Sequence, residues 1–244
     1  MSNFLEQYGK ALFTLVLVAI LIAFAGPLGM KIKNATTEKV STTEEIGCDE
    51  VYVATTGRSK PPTTVDDKVW IYIDKNNELV ISKNKITAPT DALLKEKEIN
   101  VQGNGLASTG SFEEKLVKTV KFAEKIRPKT CHRWFADFNN LTEVKNIENL
   151  YTDQCINMFF MFYRCSSLKE INLKYFNTSN VTDMRCMFMG CSSLKYLDLS
   201  SFDISKSKDC NYMMDTNTST TIKANSDLKA KFNRMSSETK ITWE

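Results

Sequence analysis

Glycine and histidine are both scarce in this 244-residue chain, which contains 9 glycines and a single histidine, His132. Loops that cradle phosphate groups need several closely spaced glycines, and no such motif is present. A single histidine limits histidine-based metal sites and acid–base relays to that one residue. These absences argue against an enzyme with a phosphate loop or a histidine-rich centre, and we expect no cofactor.

An excess of charge of one sign is also lacking. The 32 basic residues are nearly balanced by 29 acidic ones, which gives a net charge of +3. A dedicated nucleic-acid binder normally carries a dominant basic surface, so we expect no nucleic-acid partner. With 42% hydrophobic and 25% charged residues, the composition is that of an ordinary fold of one or two domains.

The first 30 residues contain the longest apolar run. Residues 11–25 carry no charge, and extension of the run to Met30 gives a helix of about 30 Å, which is the thickness of a hydrocarbon core. We predict a retained transmembrane anchor over residues 1–30, with membrane contact through residues 11–30. A cleaved signal peptide, favoured by the small residues around Phe24, and a buried core helix are the alternatives.

The charges that flank this run leave its orientation open. Lys31, Lys33 and Lys39 follow the run and only Lys10 precedes it, which favours a cytoplasmic C-terminus. A large following domain can be exported despite such charges. The segment, with Glu6 and Tyr8-Gly9 ahead of the apolar helix, also resembles the N-termini of Flp-type pilins.

Two regions separate this segment from the rest of the chain. Residues 31–65 are rich in Thr, Ser, Lys and Glu and are predicted to be a polar spacer. Residues 66–130 are predicted to be a β-rich lead-in or cap. Within them, apolar runs at Val69–Ile73 and Glu78–Ile81 flank a polar turn, which is typical of a β-hairpin.

Internal repeats fill residues 131–225. Segments that begin at Met161 and Met187 are near copies, and an earlier, degenerate copy begins at Trp134 with one extra residue. Residues at equivalent positions, here called columns, recur every 26 residues: Cys165/Cys191, Leu168/Leu194, Ile171/Leu197, Leu173/Leu199, Phe176/Phe202, Met158/Met184/Cys210 and Met161/Met187/Met213. A period in this range with an L-x-x-L-x-L pattern is typical of leucine-rich repeats.

Each repeat is predicted to form a strand, a turn and a short helix. The alternation at the end of the pattern places Leu197 and Leu199 inward and Asp198 outward. Asn180 and Asp183 have the spacing of a helix cap, followed by apolar residues at helical intervals. Stacked coils of about 26 residues would share one core, which predicts an α/β solenoid.

These residues carry a family resemblance. The run from Phe176 to Met184, followed by Met187-Phe188 and Cys191-Ser-Ser-Leu194, resembles the repeat unit of the BspA-like leucine-rich-repeat surface proteins. The likeness covers residues 66–225 and is most specific from 158 to 204. It implies a short right-handed solenoid on a bacterial cell surface and a role in adhesion, with residues 226–244 as a C-terminal cap.

Of the seven cysteines, Cys155, Cys165, Cys191 and Cys210 occupy repeat columns that are otherwise apolar, which favours buried free thiols in the repeats. The paired C-x₂-C spacing of zinc sites is absent, so no metal site is predicted. Disulfides between adjacent coils remain an alternative, because stacked strands lie about 4.8 Å apart. Cys131-His132 is the one pair that suggests a thiol nucleophile, but adjacent side chains rarely face each other. We therefore assign no catalytic residue.

The outward face of the predicted strands is the candidate binding site. Leucine-rich solenoids use such a face for protein contacts, and Tyr196 would be its aromatic anchor. An ordinary solvated face of mixed charge is the alternative. The predicted protein-binding residues are Glu170, Asn172, Lys174, Tyr196, Asp198 and Ser200.

The sequence thus predicts a membrane-anchored bacterial surface protein with extracellular repeats. Its expected function is adhesion to, or recognition of, a protein on a host or neighbouring cell, without catalysis. The alternative is a structural subunit of a pilus-like filament that self-assembles through the N-terminal helix.

Overall fold

The computed structural model of the chain describes residues 58–102, 105–106, 114–207, 210, 212–214, 220–235 and 242–244. The chain divides into two compact units, residues 1–60 and 61–244, and every strand and helix described lies in the second. The predicted anchor over residues 1–30 and most of the spacer over 31–65 lie outside the described residues.

The first sheet is mixed and has five strands. They are β1 (Lys68–Ile73), β2 (Glu78–Ser82), β3 (Leu94–Asn100), β4 (Thr119–Phe122) and β5 (Glu143–Lys145). Their order across the sheet is β3-β1-β2-β4-β5. β1 is antiparallel to β2 and β3, whereas β4 is parallel to both β2 and β5. The sheet therefore continues from the lead-in into the first repeat.

The predicted β-hairpin is confirmed. β1 and β2 pair from Trp70↔Ser82 to Ile73↔Leu79. In the turn, Asp74 Oδ1 accepts the backbone N–H of Asn76 at 2.8 Å and that of Glu78 at 2.9 Å. An aspartate at this position stabilises a turn by such bonds, which explains why a polar tetrapeptide reverses the chain here.

The second sheet is parallel and lies at the other end of the repeats. It consists of β6 (Tyr196–Leu199), β7 (Thr221–Ala224) and β8 (Thr242–Trp243), in that order. The helix α1 (Ser226–Met235) connects the last two strands. The predicted alternation in β6 is confirmed, because Leu197 and Leu199 are fully buried while Tyr196 is exposed.

Successive repeats contact each other through their backbones. Phe135 N–H donates to the carbonyl of Met161 at 2.9 Å, and Phe162 N–H donates to that of Met187, also at 2.9 Å. The columns predicted to be apolar are buried, with the exception of Ile171, which is only partly buried. The buried members include Met158, Met161, Cys165, Leu168, Leu173, Phe176, Met184, Met187, Cys191, Leu194 and Phe202.

An aromatic column crosses the interior of the repeats. The rings of Phe135 and Phe162 stack with their centroids 5.2 Å apart, and those of Phe162 and Phe188 with theirs 5.5 Å apart and an interplanar angle of 3°. All three side chains are buried. Stacked aromatic pairs at such distances add stability beyond the area they bury.

The short helices predicted within the repeats are wrong. Four residues of the repeats adopt φ values between 53° and 58°: Phe160, Arg164, Cys186 and Tyr212. These values lie in the left-handed region, which interrupts a right-handed helix. The predicted cap is also not formed. Asp183 Oδ1 accepts the N–H of Arg185 at 3.0 Å, and Asn180 Nδ2 donates to the carbonyl of Asp153 at 2.8 Å.

The predicted fold class is corrected accordingly. Within the described residues the structure is rich in sheet, α1 is the one α-helix, and it follows the repeats instead of recurring in each. One sheet is mixed and the other parallel. The α/β solenoid of strand–turn–short-helix coils with an N-terminal transmembrane helix is therefore wrong as a description of this structure.

The predicted location is corrected as well. No helix in the part of the chain that the structure describes is long and apolar enough to cross a membrane. Residues 11–30, on which the membrane prediction rested, lie outside that part. The transmembrane helix and the membrane location with extracellular repeats are therefore not supported.

Candidate functional site

Three consecutive repeats line a concavity with a volume of about 790 Å³, and its lining is here called the concave face. It brings together all six residues predicted for protein binding. Its lining consists of residues 142–144 from the first repeat, residues 170–174 from the second, and Tyr196, Asp198, Ser200 and Ser201 from the third. The face is only partly enclosed, so solvent and a partner can reach its lining residues.

Side-chain turns orient the polar residues of the concave face. Asn172 Oδ1 accepts the backbone N–H of Lys174 at 3.1 Å. One repeat later, Asp198 Oδ1 accepts the backbone N–H of Ser200 at 2.9 Å and its hydroxyl at 2.6 Å. Asn and Asp form such turns readily. The same side-chain turn thus recurs after 26 residues, and it fixes the orientation of one polar side chain in each of these two repeats, Asn172 and Asp198.

The central part of the concave face differs from the expected run of stacked strands. Residues 169–174 belong to neither sheet, although Lys195 N–H reaches the carbonyl of Lys169 at 3.2 Å. The equivalent residues of the next repeat form β6, which pairs with β7 over four positions. As a result Ile171 lines the face, whereas the equivalent Leu197 is fully buried.

The charges on the concave face are mostly acidic. Glu143, Glu170 and Asp198 line it together with Lys174, and Lys223 forms an ion pair with Asp198. Burial raises the pKa of Asp198, but the hydrogen bonds from Ser200 and the charge of Lys223, 3.5 Å away, outweigh it and lower that pKa overall. The Asp198 carboxylate is therefore ionised at neutral pH.

Tyr196 is the exposed aromatic residue of the concave face. Tyr196 as a whole residue is 41% exposed. Burial of the phenol and then its hydrogen bond with the Glu244 carboxylate raise the pKa of Tyr196, so the hydroxyl stays protonated at neutral pH. A tyrosine held in this way offers its ring to a partner.

The Cys131-His132 pair does not have the properties of a nucleophile and its base. Cys131 is fully buried, and burial followed by the neighbouring Cys155 thiol raises the pKa of Cys131 well above its ordinary value. Catalytic cysteines need the opposite shift. The His132 ring stacks on Phe159, with centroids 5.5 Å apart. The pair is best explained by packing.

The cysteines of the described residues are free, and five of these six are buried. In the Cys165/Cys191 column each thiol donates to a carbonyl of the preceding repeat, Phe135 and Phe162 respectively, at 3.1 Å. Burial, and then the adjacent Cys191 thiol, raises the pKa of Cys165. Across the described ranges, no group of three or more His, Cys, Asp or Glu residues is arranged to hold a metal ion.

We expect the thiols to differ sharply in reactivity. Among the six cysteines of the described residues only Cys186 is partly buried, so in the native protein iodoacetamide should alkylate it before the other five. Cys131 and Cys165 should react only after unfolding, because they are buried and little thiolate forms. Peptide mass spectrometry after timed alkylation measures the order. Equal rates at Cys165 and Cys186, or a disulfide at Cys165 before any oxidant is added, would contradict it.

The sequence did not reveal a second surface of arginines and aromatic rings at the turns of the same repeats. His132 was considered only as part of the Cys131-His132 pair, and its stacking partner Phe159 and the arginine over that ring, Arg185, were not recognised. The available signal was the column Phe159/Arg185, which has the same 26-residue spacing as the apolar columns.

The fold and the concave face define a protein whose repeats contact one another through backbone hydrogen bonds. Residues 129–241, just under half of the chain, match a family model described as a Mycoplasma protein of unknown function, DUF285. The match covers all of the predicted repeats, residues 131–225. No curated protein and no solved structure matches the chain. This part of the chain is therefore similar to a family whose description assigns no function.

Proposed function

We propose that the protein recognises a partner protein through the concave face and that it does so without catalysis. The observation that carries the proposal is the convergence of all six predicted residues on one open surface. Their positions in the sequence are explained by the 26-residue period, which delivers one short stretch of polar side chains from each repeat to the same face.

The chemistry of the concave face supports recognition of a protein. An exposed tyrosine stands beside an ionised aspartate whose orientation is set by Ser200. Interfaces draw most of their binding energy from a few such aromatic and charged side chains. The three carboxylates favour a partner whose contacting surface carries lysine or arginine.

The family resemblance adds support of a different kind. Residues 158–204 resemble the repeats of the BspA-like leucine-rich-repeat surface proteins, which are associated with adhesion. We extend to this chain only the recognition of a protein partner. The alternative, a filament subunit assembled through the N-terminal helix, depends on residues outside the described part of the chain.

A selection experiment tests the proposal without a known partner. A phage-displayed library of random peptides is selected on the full chain, and the affinities of the enriched peptides are measured for variants. We expect Tyr196→Ala/Asp198→Asn to weaken their binding at least about tenfold. The asparagine can still accept the Ser200 N–H, so the turn is kept and the melting temperature should change little.

The matched control is Tyr212→Ala/Asp67→Ala, which removes an exposed tyrosine and an exposed aspartate elsewhere. It should leave the affinities unchanged. Peptides that bind the Tyr196→Ala/Asp198→Asn variant as tightly as the unmodified protein would refute the proposal, as would loss of affinity in both double variants.

A further inference from the structure

Two pairs of cysteines lie in contact between neighbouring repeats, and all four side chains are buried. The first pair, Cys165 and Cys191, occupies one column of the 26-residue period. The second pair is Cys131 and Cys155. Burial is the largest cause that raises the pKa of Cys165, and a hydrogen bond with the Cys191 thiol is the next. The Cys131 thiol has the same relation to that of Cys155.

The backbone on both sides of the first pair holds the two repeats together. On one side, Arg164 N–H donates to the carbonyl of Met189 at 2.7 Å. On the other side, Ser193 N–H donates to the carbonyl of Ser166 at 3.2 Å. Neighbouring backbones joined by such bonds lie about 4.8 Å apart. This spacing falls within the Cα separation of about 4.4–6.8 Å that a disulfide bridges.

One carbonyl oxygen connects the two cysteines of each pair. In the first pair, the carbonyl of Phe162 accepts the N–H of Cys165 at 3.2 Å and the thiol of Cys191 at 3.1 Å. In the second pair, the carbonyl of Asn157 accepts the N–H of Cys131 at 2.8 Å and the thiol of the other cysteine at 3.3 Å. The sulfur of one cysteine therefore lies against the backbone of the other in both pairs.

Oxidation of these thiols would leave each of the carbonyls they contact with a backbone donor. The carbonyls of Phe162 and Asn157 keep the N–H groups just described. The carbonyl of Phe135, which accepts the Cys165 thiol at 3.1 Å, keeps the N–H of Phe138 at 3.4 Å. No buried carbonyl thus loses its last hydrogen bond, which would be costly. A disulfide is also uncharged, so it can remain in the interior, where a thiolate is unfavourable.

We propose that each pair is a site of reversible disulfide formation, which joins Cys165 to Cys191 and Cys131 to Cys155. The oxidant is a low-molecular-weight disulfide. A thiolate of the pair attacks its S–S bond and releases one small thiol, and the second cysteine then attacks the mixed disulfide and releases the other. The protein loses two electrons and the small disulfide gains them. The two protons of the protein thiols end on the two released thiols.

Burial determines when this reaction takes place. The thiolate is the reactive form, and all four thiols are enclosed once the repeats have stacked. The oxidant therefore reaches them before stacking or when the repeats open, and the bond is shielded afterwards. Cys210 lies outside the assignment, because its thiol has the Ser207 hydroxyl as a neighbour, 3.2 Å away. The assignment is independent of the function proposed for the concave face.

The test refolds the full chain from urea and reductant into a mixture of oxidised and reduced glutathione, and maps the disulfides by peptide mass spectrometry. In an unfolded chain, loop closure favours cysteines close in sequence, such as Cys186 with Cys191 and Cys155 with Cys165. We expect the two proposed bonds to exceed these sequence-near bonds at least about tenfold, because the fold holds the proposed pairs together.

Two outcomes of the mapping would overturn the proposal. One is dominance of the sequence-near bonds in the refolded protein. The other is a chain that regains its native circular dichroism spectrum in the glutathione mixture with the four cysteines free. A refolded chain that forms only one of the two bonds would overturn the assignment of the other pair.

Melting temperatures provide a second measurement, in which each oxidised protein is compared with its own reduced form. Oxidation of the unmodified protein should raise the melting temperature by at least about 5 °C, because each bond restricts the unfolded chain. Cys165→Ala/Cys191→Ala should lose about half of this rise. The matched control, Cys186→Ala/Cys210→Ala, removes two cysteines outside the pairs and should keep it. An unchanged rise in the first variant, or an equal loss in the control, would contradict the proposal.

Discussion

Replacement of Phe162 by alanine should lower the free energy of unfolding by about 3–5 kcal/mol. Phe162 is fully buried and is the middle ring of the column that joins Phe135 to Phe188. Its removal opens a cavity and breaks two stacking contacts at once, so three successive repeats lose the aromatic contacts between them. Since domains are commonly stable by only about 5–15 kcal/mol, this variant should lose a large fraction of its stability. Urea denaturation followed by circular dichroism measures the change.

Two further variants separate the causes of that loss. Phe162→Leu retains most of the apolar contact but not the stacking, and should cost clearly less than the alanine substitution. Tyr212→Ala removes a ring that is 68% exposed, and should change stability by no more than about 0.5 kcal/mol. A Phe162→Ala protein as stable as Tyr212→Ala would show that the aromatic column does not support the repeats.

The parts of the fold that depend on local patterns could be predicted from the sequence. The hairpin over β1 and β2 follows from apolar runs around a polar turn, and the buried columns follow from a fixed period. The six residues of the concave face were found for the same reason. Once the period is known, equivalent residues of successive repeats must lie close together.

The parts that depend on backbone conformation or distant pairing could not be predicted. Phe160 and Cys186 have left-handed backbone conformations, which exclude helices at these positions. Neither residue type favours that conformation, so nothing in the sequence indicated it. The apolar spacing alone was available, and it indicated a helix. The parallel pairing of β2 with β4 joins strands separated by β3 and leaves no local signal. The stacking of His132 and Arg185 on the Phe159 ring was missed because it depends on residues brought together by neighbouring repeats.

Replacement of Thr178 by valine should lower the free energy of unfolding by about 2 kcal/mol through the loss of a buried hydroxyl. Thr178 Oγ1 donates to the carbonyl of Asp203 at 2.9 Å and accepts its N–H at 2.8 Å. Thr152, 26 residues earlier, makes the same two bonds with Asn177, at 3.1 and 2.8 Å. The hydroxyl of each threonine therefore connects its repeat to the next one at a position where no strands pair.

The valine variant keeps the shape of the side chain but leaves both backbone groups of Asp203 without this partner, so the loss should come from hydrogen bonding and not from packing. Thr178→Ser keeps the hydroxyl and loses one methyl group, and should therefore cost about 1 kcal/mol. Urea denaturation of both variants gives the comparison. If serine proves more damaging than valine, packing of the methyl group, and not the hydroxyl bridge between repeats, is what this column contributes.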